Sequence, residues 1–140
     1  KICKATLIVC PVAILNQWRN EIDRHTAPGS IKVMIYKGMK HARENLAKLI
    51  KSKAEDDEIR EAAKQFYPAE IGNYDIVLTT YDTLRKDLHH VSSSSRQMGE
   101  KRFNLRNKKR YSSPPSPLTH TEFWRICLDE AQEVESSAAG

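Results

Sequence analysis

Thr6-Leu7-Ile8-Val9-Cys10 is a short apolar run closed by Pro11. It lacks the polar alternation of a half-solvated sheet, which is the pattern of a strand buried on both faces of a parallel sheet. Beyond Pro11, Ile14, Leu15, Trp18 and Ile22 recur at spacings of three and four residues, so a helix with one apolar stripe follows, ended by Pro28-Gly29. Working outward, residues 31–36 alternate and are β-rich. Asp75-Ile76-Val77-Leu78-Thr79-Thr80 repeats the buried character of the first run, and Arg125-Ile126-Cys127-Leu128-Asp129 is a fourth strand ending in acids. Strands alternating with helical segments predict an α/β domain with a mainly parallel sheet.

Residues 40–66 contain no proline or glycine and are rich in Ala, Lys and Glu. Leu46, Leu49 and Ile50, then Ile59, Ala62, Ala63 and Phe66, form two stripes separated by Glu55-Asp56-Asp57-Glu58. That spacing predicts two helices, or one with a solvated break, in a surface insertion packing on itself; a partner-binding helix is the alternative. Residues 91–118 turn to serine, proline and basic side chains, with too little apolar surface to offset ordering, and predict a mobile loop. Arg96, Lys101, Arg102, Arg106, Lys108, Lys109 and Arg110, interleaved with Phe103 and Tyr111, suit phosphates and stacked bases. A solvated linker or nuclear-import patch reads equally well from the same composition. Ser113-Pro114 and Ser116-Pro117 are candidate phosphorylation sites beside this charge.

The bulk numbers bound these readings. A chain of 140 residues with 39% apolar content suits one domain with a real core, and a net charge of +5 favours an acidic partner without deciding it. Cys3, Cys10 and Cys127 form no CxxC pair, suggesting reduced thiols and a reducing compartment. His25, His41, His89, His90 and His120 lack metal-ligand spacing, so no zinc is expected. No apolar stretch approaches the roughly 18 residues of a bilayer span, so the chain reads as soluble with no membrane partner.

Chemistry concentrates in Asp129-Glu130-Ala131-Gln132, where an apolar strand delivers adjacent acids at its carboxyl end, the position at which α/β sheets bind ligands. Asp129 there suits a magnesium ion bridging nucleotide phosphates, and Glu130 suits orienting or deprotonating the attacking water. An acidic helix start is the competing reading.

The flanks favour the first. Residues 6–22 (TLIVCPVAILNQWRNEI), 75–84 (DIVLTTYDTL) and 124–132 (WRICLDEAQ) together resemble three successive motifs of the Swi/Snf-type helicase-like ATPases of superfamily two, in that family's order. The resemblance implies a partial RecA-like motor lobe at 1–89 with a helical insert at 40–66. A basic loop would follow at 90–120, and the acidic-box strand with the start of the next helix at 121–140. It implies ATP and magnesium as cofactors of the parent, with Asp129, Glu130 and Gln132 catalytic and Asp129 the magnesium ligand. Gln132 would link the nucleotide site to DNA or to a second motor lobe.

The resemblance also implies DNA-backbone contacts from the strand-to-helix turn at Pro11, Val12 and Ala13, and from Thr79 and Thr80. Relatives often carry Ser or Thr in that turn. Val12 and Ala13 have no hydroxyl, so contact there falls to backbone amides or to Asn16 and Gln17. For Thr79 and Thr80, β-propensity at a strand end is the plainer alternative. Trp18 is assigned to the core because it shares the stripe of Ile14 and Ile22, and Arg106, Lys108, Lys109 and Arg110 complete the expected DNA contacts.

Residues 105–111 (LRNKKRY), Pro115-Ser116-Pro117-Leu118 and residues 123–132 are similar to the SHPRH branch, ATPases with linker-histone, PHD and RING modules. Glutamine replaces the usual histidine of the box in that branch, as Gln132 does here. The branch implies a nuclear parent acting on double-stranded DNA or chromatin, in DNA repair or remodelling. A RING outside this chain would engage a ubiquitin-conjugating enzyme. No GxxxxGK[ST] word occurs, so this chain alone is expected not to turn over ATP. The alternative function is a non-catalytic protein-interaction or DNA-binding scaffold on a motor-like fold.

Overall fold

The structure, a computed structural model, describes residues 3–95 and 116–132. Strands β1 (Cys3–Cys10), β2 (Val33–Ile35), β3 (Ile76–Thr80) and β4 (Phe123–Leu128) form a single sheet in the order β2-β3-β1-β4. Every pairing is parallel. The expected α/β architecture with a mainly parallel sheet is present, consistent with a RecA-like helicase lobe. β1 lies between β3 and β4, which explains its unbroken apolar run: Leu7, Ile8, Val9 and Cys10 are all buried, on both faces.

A 3-10 turn, Val12–Ile14, connects β1 to helix α1 (Leu15–His25). The hydroxyl and N–H of Thr26 both donate to the Ile22 carbonyl and end the helix ahead of Pro28-Gly29. The predicted stripe of Ile14, Leu15, Trp18 and Ile22 is half-buried. Helices α2 (Gly38–Lys51), α3 (Asp56–Lys64) and the short α4 (Pro68–Ile71) fill the connection from β2 to β3. Two helices were an expected outcome, but the acids do not separate them as a solvated break. Asp56, Asp57 and Glu58 occupy the first turn of α3, where they complement its positive end. The insertion packs α2 on α3 and also rests on the domain, with Gly38, Met39 and Ala42 buried where α2 meets α5 (Tyr81–Ser95). Ile71 of α4 fills a core of Ala5, Leu7, Val9, Tyr36, Val77, Tyr81 and Leu118.

Two limits of the expected mobile segment are corrected. Helix α5 continues through Ser95, past the expected start at 90, and Ser116, Pro117 and Leu118 are buried. The physical reason is a polar latch. Asp87 on α5, itself buried, accepts hydrogen bonds from Tyr36 Oη at 2.5 Å, Ser116 Oγ at 2.6 Å and the Met39 N–H at 3.2 Å. Leu118 then joins the core, and the chain enters β4. Ser116 is therefore no surface phosphorylation site: its hydroxyl is engaged inside the fold, and a phosphate would meet a buried carboxylate. Ser113 lies outside the described residues.

β4 is an edge strand, and one of its faces leaves Trp124, Ile126 and Leu128 exposed. No helix among the described residues is long and apolar enough to cross a membrane.

Candidate functional site

Parallel pairing brings the carboxyl ends of β1, β3 and β4 to one edge, with Cys10 opposite Thr80 and Val9 opposite Leu128. The chain leaves β1 towards β2 and leaves β3 towards β4 on the far side of β1, so the strand order reverses beside β1. A crevice at such a reversal is where open α/β sheets receive ligands. The turn at Pro11–Ala13, the Thr80-Tyr81 junction and Asp129-Glu130 all emerge there.

Asp129 is held at three points. Its N–H donates to the Val9 carbonyl at 2.9 Å, extending the β1–β4 ladder. Its own carbonyl accepts from Tyr81 Oη at 2.9 Å, and its carboxylate Oδ2 accepts from Trp18 Nε1 at 2.7 Å. Glu130 is exposed and has a φ of +54°, the left-handed region that costs a residue with a Cβ of order 1–3 kcal/mol. That conformation turns the chain sharply after the strand. Gln132, also exposed, donates its side-chain amide to the Glu130 carboxylate. Ile14, Gln17, Trp18, Glu21, Asp129 and Glu130 line an open cavity of about 440 Å³.

No group of three or more candidate metal ligands occurs among the described residues. Magnesium in nucleotide sites typically keeps waters and uses one or two carboxylates together with substrate phosphates. The hard oxygen donors of Asp129 and Glu130 on an open cavity fit that mode. Burial raises the pKa of the Cys10 thiol, and the nearby Asp129 charge adds to the shift. The thiol is therefore held neutral beside the acid pair.

The other expected site residues divide into three groups. Val12 (77% exposed), Ala13, Asn16 and Gln17 face solvent, and Pro11 is half-buried. Packing does not explain so exposed a valine. Thr79 is corrected, and Thr80 has its hydroxyl engaged at the start of α5. Thr79 is fully buried, and its hydroxyl donates to the Tyr36 carbonyl at 3.0 Å, so it has no path to a phosphate. Thr80 caps α5, its Oγ1 accepting from the Thr83 N–H at 3.2 Å and donating to Thr83 Oγ1 at 3.0 Å. Arg106, Lys108, Lys109 and Arg110 lie outside the described residues.

Two residues were missed as parts of this site. Trp18 is half-buried and aims its N–H at Asp129, neither a purely apolar core residue nor an exposed stacking surface. Tyr81, which directly follows the Thr-Thr pair, reaches the Asp129 backbone. The available signal was chemical: Trp and Tyr carry a polar handle that finds a partner when buried.

Comparison with known proteins agrees with the motif reading. The SNF2-related domain family matches residues 1–140. The chain is 39% identical to the human E3 ubiquitin-protein ligase SHPRH over 132 residues, covering 94% of this chain and 6% of that protein. It is 33% identical to the uncharacterized ATP-dependent helicase IRC20 of Saccharomyces cerevisiae over 139 residues, covering 96% of this chain and 7% of that protein. The DNA repair protein RAD5 of Mycosarcoma maydis is 28% identical over 137 residues, 95% of this chain and 7% of that protein. No solved structure matches. The chain thus spans only 6% to 7% of the length of these relatives. With the family match running from end to end and the acid pair at the carboxyl edge of a parallel sheet, the chain belongs to the SNF2-related domain family.

Proposed function

We propose that this chain is part of the first motor lobe of a DNA-dependent ATPase that translocates on double-stranded DNA. The observation that carries the reading is Asp129-Glu130 at the end of β4, beside the strand reversal and on an open cavity, in a chain of this family. Asp129 would hold magnesium together with nucleotide phosphates, and the ion would supply charge neutralisation to phosphoryl transfer. Glu130 orients the attacking water and accepts its proton, and Gln132 holds the Glu130 carboxylate in place. The exposed turn from Val12 to Gln17 presents backbone amides and side-chain amides to DNA phosphates without reading sequence. Arg106, Lys108, Lys109 and Arg110 add charge to the same grip.

The parent acts in the nucleus on chromatin or in DNA repair. It closes ATP between this lobe and a second one, and engages a ubiquitin-conjugating enzyme through a RING elsewhere in the protein. Support comes from its relatives, an E3 ubiquitin-protein ligase, an uncharacterized ATP-dependent helicase and a DNA repair protein. The test is ATPase activity of the full-length protein with and without duplex DNA, alongside Glu130→Gln. DNA stimulation that Glu130→Gln abolishes while nucleotide binding persists is the expected result. Undiminished turnover in Glu130→Gln would reject the role given to Glu130, and DNA binding without any turnover would favour the scaffold alternative.

A further inference from the structure

We infer that Trp18 and Tyr81 are positioning residues that hold Asp129 ready for its cation and tie it to the segments facing DNA. This rests on the motor reading above. The terminal torsion of an aspartate side chain is intrinsically broad, so a directional contact has to select one orientation. Here the contact is the 2.7 Å bond from the Trp18 indole to Oδ2, between residues 111 positions apart. It engages one carboxylate oxygen and leaves Oδ1 to meet a cation. The indole N–H is an uncharged donor with no acceptor capacity, so it orients the carboxylate without neutralising it or competing as a ligand. Tyr81 fixes the backbone beneath the same side chain through its 2.9 Å bond to the Asp129 carbonyl.

The origins of these two groups give the contact its consequence. Trp18 follows directly on Asn16 and Gln17, which are exposed at the start of α1. Tyr81 opens α5, immediately after the Thr80 cap. Each side chain that grips Asp129 therefore belongs to a segment leaving the carboxyl edge of the sheet. A shift of α1 as its first turn meets a phosphate backbone displaces the indole, and with it the carboxylate. Preorganised placement of charged groups is a large part of phosphoryl-transfer catalysis, so a small displacement has a kinetic effect.

The test uses the full-length protein. Trp18→Phe keeps an aromatic ring in place and deletes the donor together with the smaller ring of the indole, whereas Tyr81→Phe deletes only the hydroxyl. For Trp18→Phe, loss of a hydrogen bond to a charged group is expected to lower DNA-stimulated kcat about tenfold. KM for ATP and affinity for duplex DNA are expected to stay within about twofold, the pattern of a lost transition-state interaction. The magnesium concentration giving half-maximal binding of ATP, titrated without turnover, rises, a readout that a purely packing role would not move. Tyr81→Phe is expected to shift the same two readouts in the same direction, and it carries the test if Trp18→Phe is recovered unfolded. Unchanged kcat and magnesium dependence in a folded variant overturns the inference. Asp129→Asn separates the two levels: full turnover there overturns the motor reading itself, whereas an inactive Asp129→Asn beside an unaffected Trp18→Phe and Tyr81→Phe overturns only the positioning role.

Discussion

Tyr36 and Asp87, 51 positions apart, meet inside the fold through a 2.5 Å hydrogen bond from the phenol to the carboxylate. With Ser116 and the Met39 N–H on the same carboxylate, this bond joins the end of β2, the start of α2, α5 and the approach to β4. Asp87→Ala would strand these donors in the interior, where each unsatisfied group costs about 1–3 kcal/mol. A total loss of about 3–5 kcal/mol is expected, against about 1–2 kcal/mol for Tyr36→Phe, which deletes one donor. Denaturant unfolding followed by circular dichroism measures both, and equal midpoints for wild type and Asp87→Ala would contradict the latch.

Gly38 sits beside this latch with a φ of +90°, and an added Cβ would meet Thr83 Cγ2 at 3.0 Å and Asp87 Oδ1 at 3.3 Å. Gly38→Ala therefore combines backbone strain with a close approach to α5. A destabilisation of about 1–3 kcal/mol is expected in the same unfolding measurement.

Alkaline pH should weaken the fold through two buried groups. Burial first, and Asp129 second, raise Cys10 above the ordinary thiol value of 9.0. Burial first, then the bond to Asp87, raise Tyr36 above 10.0. Both groups hold their protons more tightly folded than unfolded, so their contribution is complete below the unfolded values. It falls as pH rises from about 9 through the folded values, because the unfolded chain loses its protons first. Unfolding midpoints measured from pH 8 upward should be level at first and then decline. Alkylation by iodoacetamide at pH 8 should label Cys3 and Cys127, both half-buried, before Cys10.

Thr79→Val should separate fold from DNA contact. Its hydroxyl serves the Tyr36 carbonyl within the sheet, so stability is expected to fall by about 1–3 kcal/mol. Affinity of the full-length protein for duplex DNA should stay within about twofold, since a buried group makes no phosphate contact. A tenfold loss of DNA affinity with unchanged stability would restore the direct contact.

The local pattern of the sequence carried the architecture because burial in a parallel sheet needs unbroken apolar strands. Residues 6–10 and 75–80 show that need without reference to their neighbours. The place of Asp129-Glu130 at the end of β4 was legible for the same reason, since the apolar run stops at Leu128. Residues 91–118 misled at both ends because composition counts serines and prolines and cannot show that Ser116 has a buried acceptor waiting in Asp87.

What the sequence by itself determined is the order of the four strands, the helices that follow the first and second of them, and the acids that end the last, because each is a local pattern. What only the tertiary structure decided is which polar groups meet. Thr79 turns inward and Trp18 turns towards Asp129, because a hydroxyl or an indole N–H goes to whichever acceptor the sheet brings within about 3 Å, and that acceptor lies far away in sequence.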